Sequence, residues 1–557
     1  MNIPFVLSES AKKVLLCKYP AEIVQKIAFE AAKNPDFGDY ATNIAMTAAK
    51  TLGTNPMDLA AELAIELTLM PEVSSASIAK PGFVNIVLTD KFLLDAARRA
   101  DEITQAAAPK KIDMDYASFN IAKSAHMGNL RALIVGDVLN RILRAAGHKT
   151  VAYNHLGDWG LPMGKVIAIL MEKYPNGMPD ALTADELNKF YPEASELSKA
   201  DPDWNARAQK ITALFQSGNP EYSKIYEWFR NITMKDAREI IEGMNVIPFD
   251  KWQGEKYASG FVSDVEKILR VKNLLEKDQG AEIVRIDENT PPLLFKTSHG
   301  TDTYAATDLG AIYYRSRDDK PDELLYITDF RQNLHFKQLF AVARRAGLSD
   351  AKLTHLGYGT VNGSDGKPFK TRDGGTPSIR GIVEMTVQAV QKRVQESGKD
   401  ISAGDMRKIA VSALKFNDLA HGMMDNYVFE PAVLTSFEGR TGAGVLYTAV
   451  RLLAIQAKAG EDFSKCEFGD KIDGAGERAL IMMLNDFDRT VSKAAETYQT
   501  ELLANYAYDL AQAVNNYYHN YPILKSDDPH RKAVVAISLR VLTVAIDLLG
   551  MQIPSEM

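Results

Sequence analysis

The chain has 557 residues and a mass of 61.5 kDa, with 46% hydrophobic and 25% charged residues, a soluble composition that excludes disorder, collagen and small disulfide scaffolds and calls for several domains. Sixty-five Lys and Arg against 72 Asp and Glu leave a formal charge of -7, so a polyanion must be held by local patches rather than by the field of the whole molecule. Cys17 and Cys466 are the only cysteines, too few for a disulfide framework or a cysteine-based zinc site, and they fit a reducing cytosol.

The opening MNIPFVLSESAKKV has no apolar core of signal-peptide length, and the greasiest late stretch, AVVAISLRVLTVAIDLLG, is interrupted by Arg540 and Asp547. The chain is therefore expected neither to enter nor to cross a membrane. Residues 1–108 mix helical periodicity, as in SAKKVLLCKYPAEIVQKIAFEAAK, with a strand candidate FVNIVL at Phe83 to Leu88, and read as a small α+β domain closed by the linker TQAAAPKK. From 109 to 380 the grammar is α/β. KIDMDYAS, the turn NIAKSAHMGN, the helix LRALIVGDVLNRILRAAG and the strand KTVAYN form a βαβ unit of a parallel sheet. Residues 172–251 are polar, helical and rich in Pro, which marks an insertion between two halves of the sheet. The second half returns with strands DELLYIT and AKLTHLGYGTV around the helix LHFKQLFAVARRAG. From 381 to 557 nearly everything has helical period, as expected of a helix bundle.

Four segments carry candidate chemistry. In NIAKSAHMGN a turn joins a strand to a helix, so free backbone N–H groups and the positive end of the helix dipole face the sheet's carboxyl edge. Gly128 permits close approach there, and His126, Asn129 and Lys123 offer donors to phosphoryl oxygens; a plain helix start with a surface His fits the same letters. GSDGKPFKTRDGGT, residues 363–376, sets Lys367, Lys370 and Arg372 among glycines, a loop able to neutralise a leaving pyrophosphate or simply a solvated turn. NHLGDWG, residues 154–160, places Asp158 either as the cap of a helix beginning near Leu161 or at the sheet edge beside the first turn. In TYAATDLGAIYYR, Tyr304 and Asp308 share a helix face at four-residue spacing, with DFRQNLHF downstream. An aromatic ring plus a carboxylate can receive a planar cation, or form a surface couple.

Taken together and in order, these segments resemble the class I aminoacyl-tRNA synthetases and, within them, the arginyl-tRNA synthetase family. Asn120 to Arg131 looks like that family's version of the HIGH signature, NHLGDWG follows at its spacing, KPFKTRDGGT looks like its replacement for the KMSKS loop, and YAATD and DFRQ look like arginine-pocket segments. FGDY at Phe37 and KPGFVNI at Lys80 resemble the N-terminal tRNA-contacting domain. FEGRTG at Phe437, YDLAQAVNNYYHNYPIL at Tyr508 and the ending LLGMQIPSEM resemble the helical anticodon-binding domain.

The resemblance implies a Rossmann-like catalytic domain with a parallel sheet, an N-terminal α+β domain and a C-terminal all-α helix bundle. It implies ATP-dependent formation of arginyl adenylate and transfer of the arginyl group to the terminal adenosine of tRNA(Arg), without a dedicated general base. Asp115, Ser118, Asn120 and His126 would hold the α-amino and carboxylate ends of arginine, with Tyr304, Asp308 and Gln332 around its side chain. His126, Gly128, Asn129, His155, Gly157, Asp158 and Lys370 would contact ATP. Lys123, His126, Asn129, Lys367, Lys370 and Arg372 would stabilise the transferring phosphates. Mg2+ would travel with ATP rather than occupy a protein cage. A cytoplasmic monomer is the form the resemblance suggests. The chain departs from the family at Asn129, where a second His is usual, at Leu130 to Leu133, at Leu161 to Gly164 and at Gly444 to Arg451. These departures leave as alternatives a tRNA-binding paralogue that no longer charges, and a nucleotidyltransferase acting on another small acid.

Overall fold

The computed structural model describes residues 2–367 and 377–557 except Lys33 and Ala181. Lys370 and Arg372 of the basic loop lie outside the described residues. The chain forms two compact units. One collects Met1–Thr104, Val445–Thr497 and Asn505–Ile546; the other collects Gln105–Gly444, Tyr498–Ala504 and Asp547–Met557.

In the first unit, strands β1 (Glu30–Ala31), β2 (Tyr40–Thr42), β3 (Val73–Ala79) and β4 (Phe83–Leu88) pair antiparallel in the order β1-β2-β4-β3. The helices Ile3–Leu15 and Pro56–Leu67 bury Leu7, Leu15, Leu59, Leu63 and Leu67, the i, i+4 and i, i+8 stripe of an amphipathic helix. Each begins with an Asn cap followed by Pro, which fixes its start. The helices Gly474–Asn485 and Phe487–Thr497 belong to the same unit, where Arg478 donates to Asp90 at 2.8 Å, to Asp39 at 2.5 Å and to the Leu88 carbonyl at 2.8 Å. One guanidinium fork thus ties segments almost four hundred residues apart in sequence.

The second unit is built on five strands among the described residues: β5 (Lys111–Tyr116), β6 (Lys149–Asn154), β7 (Lys251–Trp252), then, after a small antiparallel sheet of β8 (Glu276–Asp278), β9 (Ala281–Val284) and β10 (Leu293–Lys296), β11 (Glu323–Asp329) and β12 (Lys352–Tyr358). The order is β12-β11-β5-β6-β7, every pair parallel. β5 and β11 are buried along most of their length because helices cover both faces, as a parallel sheet requires. Helix α1 (Met127–Ala145) crosses from β5 to β6, α2 (Tyr304–Asp318) precedes β11, and α3 (Asn333–Ala346) crosses from β11 to β12. Leu309 and Ile312 of α2, Phe336, Leu339 and Phe340 of α3, and Leu324 and Tyr326 of β11 share one apolar core. The chain winds outward from β5 on one side through β6 and β7 and on the other through β11 and β12. The crevice between the carboxyl ends of β5 and β11 is therefore the topological switch point where ligands bind in such sheets.

Between β6 and β7 the helices Ala184–Ala200, Pro202–Gln216 and Pro220–Gly243 form the insertion that the polar, Pro-rich text announced. Each opens on a side-chain cap, Thr183 with a capping box, Asp201, and Asn219, and the last two carry Pro at the first turn. The antiparallel trio β8 to β10 was not foreseen, since its strands are only three or four residues long and show no usable alternation. The helices Ile379–Ser397 and Ala403–Leu419, past the border expected at 380, lie in the same unit as the sheet. Among the described residues no helix is long and apolar enough to cross a membrane.

Candidate active site

β5 delivers Asp115 to the carboxyl edge of the sheet, and the chain then reverses through Ala117 and Ser118 at φ 68° and 38°. Two consecutive non-glycine residues in the left-handed region are strained, a state that persists only where neighbours enforce it. Asn154 at the end of β6 does so by accepting from Phe119 N at 3.0 Å. The loops after β5 and β6 then pair, with Gly157 N on Phe119 O at 2.9 Å and Ile121 N on Gly157 O at 3.0 Å. Asn120 sits opposite Gly157, where a Cβ would run into Asn120 Oδ1. That close approach is why NHLGDWG carries glycine there.

His126 is the N-cap of α1. Its Nδ1 accepts from Gly128 N at 3.0 Å, while Asn129 Oδ1 accepts from His126 N at 3.2 Å and Asn129 Nδ2 donates to Ala117 O at 2.9 Å. His126 and Asn129 thus form a reciprocal capping box, with Asn129 also anchoring the strained turn. Burial, helped by the nearby Lys123 charge, pushes the His126 pKa down, which keeps the ring neutral and Nδ1 able to accept. A Cβ at Gly128 would stand 2.8 Å from His126 Cε1, so glycine is required. The chain leaving the basic loop is stitched onto this turn: Met127 N donates to Pro377 O at 3.2 Å, Ile379 N to Ala125 O at 2.9 Å, and Ser378 bridges to His126. Before the loop, Gly363 N donates to Lys367 O at 2.9 Å.

A cavity of about 590 Å³ opens at this crevice, lined by Asp115, Ser118, Asn120, His126, Gly128, Asn129, His155, Gly157, Tyr304, Asp308 and Gln332. Most of the residues expected at the site from sequence therefore converge on one space. The floor at the α2 end is ionisable. Asp115 Oδ2 accepts from Arg315 Nη1 at 2.6 Å, His155 Nε2 stands 3.6 Å from Asp308 Oδ1, and His335 Nε2 lies 2.7 Å from Asp308 Oδ2. Glu255, at the start of the short helix Glu255–Ser259 after β7, lines the same end. Burial and the negative charges of Asp308 and Asp158 push its carboxyl up to about 8.

Several expected residues stand elsewhere. Asp158 does not line the cavity and does not cap the helix Leu161–Lys173, whose N-cap is Gly160; it is buried, accepting from Lys256 N at 2.8 Å and from Tyr226 OH at 2.9 Å. It therefore holds the turn that presents Glu255. Lys123 does not line the cavity either, its ammonium lying 3.7 Å from the centre of the Tyr191 ring on the insertion. Lys367 is exposed. Sequence reading missed Glu255, His335, Arg315 and Tyr326. Glu255 follows a strand of only two residues, which leaves no sequence signal, whereas His335 lies in the already quoted DFRQNLHF.

Against this geometry, the described families place the chain without ambiguity. Residues 92–431 match tRNA synthetases class I (R), catalytic domain, residues 445–557 match the DALR anticodon binding domain, and residues 3–88 match the arginyl tRNA synthetase N terminal domain. The arginine--tRNA ligase of Hyphomonas neptunium is 35% identical, covering 94% of each chain, and that of Francisella tularensis subsp. novicida is 32% identical over the whole of both. The arginyl-tRNA synthetases of Thermus thermophilus and Plasmodium falciparum share the fold, with TM-scores of 0.83 and 0.80 at 23% and 22% identity, covering all of this chain and 100% and 98% of theirs. The parallel sheet with its switch-point cavity is that of a class I synthetase catalytic domain. The chain belongs to the arginyl-tRNA synthetase family.

Proposed function

We propose that the cavity joins L-arginine to ATP and that the arginyl group then passes to the terminal adenosine of tRNA(Arg). The arginine carboxylate attacks the α-phosphorus, pyrophosphate leaves in line, and the adenylate's carbonyl is taken by a ribose hydroxyl of the tRNA. Such a sequence demands alignment and charge stabilisation more than proton shuttling. One observation carries the reading: an acidic floor at one end of the cavity and a capped helix start at the other, both within about 590 Å³.

In this reading Asp308 and Glu255 receive the guanidinium, with Tyr304 and Gln332 around its stem. Asp115 takes the α-ammonium, and Ser118 and Asn120 orient the carboxylate. Asp115 Oδ1, buried and without a partner, suits that role, because a buried acceptor left bare is costly until a donor arrives. His126, Gly128, Asn129 and Gly157 line the nucleotide's side of the cavity, where the positive end of the α1 dipole favours phosphate. His155, beside Asp308, serves the arginine end. Lys367, Lys370 and Arg372 follow the pyrophosphate, Lys123 supports the turn from outside, and Mg2+ arrives with ATP. Residues 3–88 and 445–557 serve tRNA, and the enzyme works as a cytoplasmic monomer.

The capping bonds of Asn129 support retained activity despite its departure from the family. Arginine-dependent ATP–pyrophosphate exchange, run with and without tRNA, is the direct test, and its absence in both overturns the reading. Binding of tRNA should weaken steeply with salt, roughly a thousandfold between 50 and 200 mM if at least six phosphates are neutralised.

A further inference from the structure

Beneath the acidic floor lies a resident arginine. Arg315 on α2 is 1% exposed, its guanidinium carbon 4.3 Å from the centre of the Tyr153 ring. Nη1 donates to Asp115 Oδ2 at 2.6 Å, Nη2 faces His155 Nδ1 at 3.4 Å, and Nε lies 3.3 Å from Tyr314 OH. The partners' remaining atoms, Asp115 Oδ1 and His155 Nε2, are buried and unpaired, and both residues line the cavity.

We propose that Arg315 is a positioning residue that sets which way round arginine enters, by preparing Asp115 for an ammonium and His155 for Asp308. A guanidinium only donates. Nη2 therefore meets a bare Nδ1, and the ring proton of His155 is left on Nε2, aimed at Asp308 Oδ1 3.6 Å away. Asp115, with Oδ2 already taken, offers one oxygen rather than a fork, which suits the point charge of an ammonium better than a bidentate guanidinium. Asp308 is faced by two histidines, His335 Nε2 at 2.7 Å from Oδ2 and His155 Nε2 at 3.6 Å from Oδ1, and not by a resident guanidinium. The substrate carries an ammonium at one end and a guanidinium at the other, and the cavity has carboxylates at both ends. Arg315 makes those carboxylates unequal. The proposal rests on the functional reading above and extends it to a residue that touches no substrate.

Arg315→Lys supplies one point charge and no fork, so it can serve Asp115 or His155 but not both. With tRNA present, the KM for arginine in pyrophosphate exchange should rise about tenfold or more, with the KM for ATP within about twofold. The variant's melting curve should stay cooperative. An unchanged arginine KM, or equal rises in both constants, overturns the proposal. Imidazole nitrogen NMR of the full-length wild type, with His155→Gln used to assign the signal, gives a reading that needs no turnover. A bare Nδ1 with protonated Nε2 is expected in the wild type, lost in Arg315→Met, which offers no donor. A proton on Nδ1 of the wild type overturns the proposal even if exchange is normal. A wild type inactive in exchange but with the expected tautomer would instead count against the functional reading alone.

Discussion

In the proposed reading the two ends of the cavity solve recognition in opposite ways. The nucleotide end is local: one turn, from Ala117 to Asn129, supplies a helix start, a glycine and a capping pair whose members bond one another. The arginine end is assembled from distant parts: Asp115 on β5, His155 after β6, Glu255 after β7, Asp308 on α2 and His335 on α3. Phosphate can be favoured by the positive end of a helix dipole, which any helix provides. Selecting a guanidinium requires carboxylates held in a partly dry site, and several elements must each contribute one. Substitutions should therefore act mainly on arginine at one end and weakly on ATP at the other.

Asp308→Ala is the sharpest way to break that contrast. It leaves the substrate's guanidinium with Glu255 as its one remaining carboxylate in a half-buried site, at a cost of about 3 kcal/mol, or about a hundredfold in arginine KM. The KM for ATP should barely move. Comparable rises in both constants, measured in the exchange assay, would mean that the two ends are not separate.

Glu255 adds a pH signature to the arginine end. With its carboxyl pushed up to about 8 in the empty cavity, Glu255 is mostly protonated at pH 7, and a guanidinium favours the ionised form. Arginine binding must then expel a proton below pH 8, so affinity falls as pH falls. Between pH 8 and 7 the loss should be roughly fivefold, flattening above the pKa. Calorimetry in buffers of different ionisation enthalpy should show close to one proton released per arginine at pH 7. Glu255→Gln should abolish both effects, and a wild type that releases no proton would remove Glu255 from the guanidinium site.

The same contrast explains what was legible in the sequence. Contiguous signals survived well: the βαβ text around β5 and β6, the His126 turn, and the four-residue spacing of Tyr304 and Asp308 on α2. Glu255 escaped because β7 is two residues long and gives no periodic signal, so nothing in the text places it at the sheet edge. Asp158 belongs to the NHLGDWG segment expected at the sheet edge, yet along this irregular loop its side chain points into the protein and meets Tyr226 of the insertion. Arg315 reads as one more charge near the end of a helix. Only the fold reveals that it is buried against Tyr153.

The smallest effect tests the nucleotide end. Asn129→Ala removes the acceptor for His126 N and the donor to Ala117 O, and loss of such a cap typically costs about 1 kcal/mol of stability. A denaturation midpoint should register that cost. The KM for ATP should rise by only a fewfold, since the truncation removes the support of the helix start rather than the helix dipole that faces phosphate. Asn129→Asp separates the two bonds, keeping an acceptor for His126 N, with a negative charge favourable near the helix start, while losing the donor to Ala117. If stability follows the acceptor, the aspartate variant should sit close to wild type. If it follows the anchor on the strained Ala117–Ser118 turn, both variants should lose alike. A rise in ATP KM for Asn129→Ala as large as the arginine effect of Asp308→Ala would show that the phosphates are read by the Asn129 side chain, and the division between a backbone end and a side-chain end would fail.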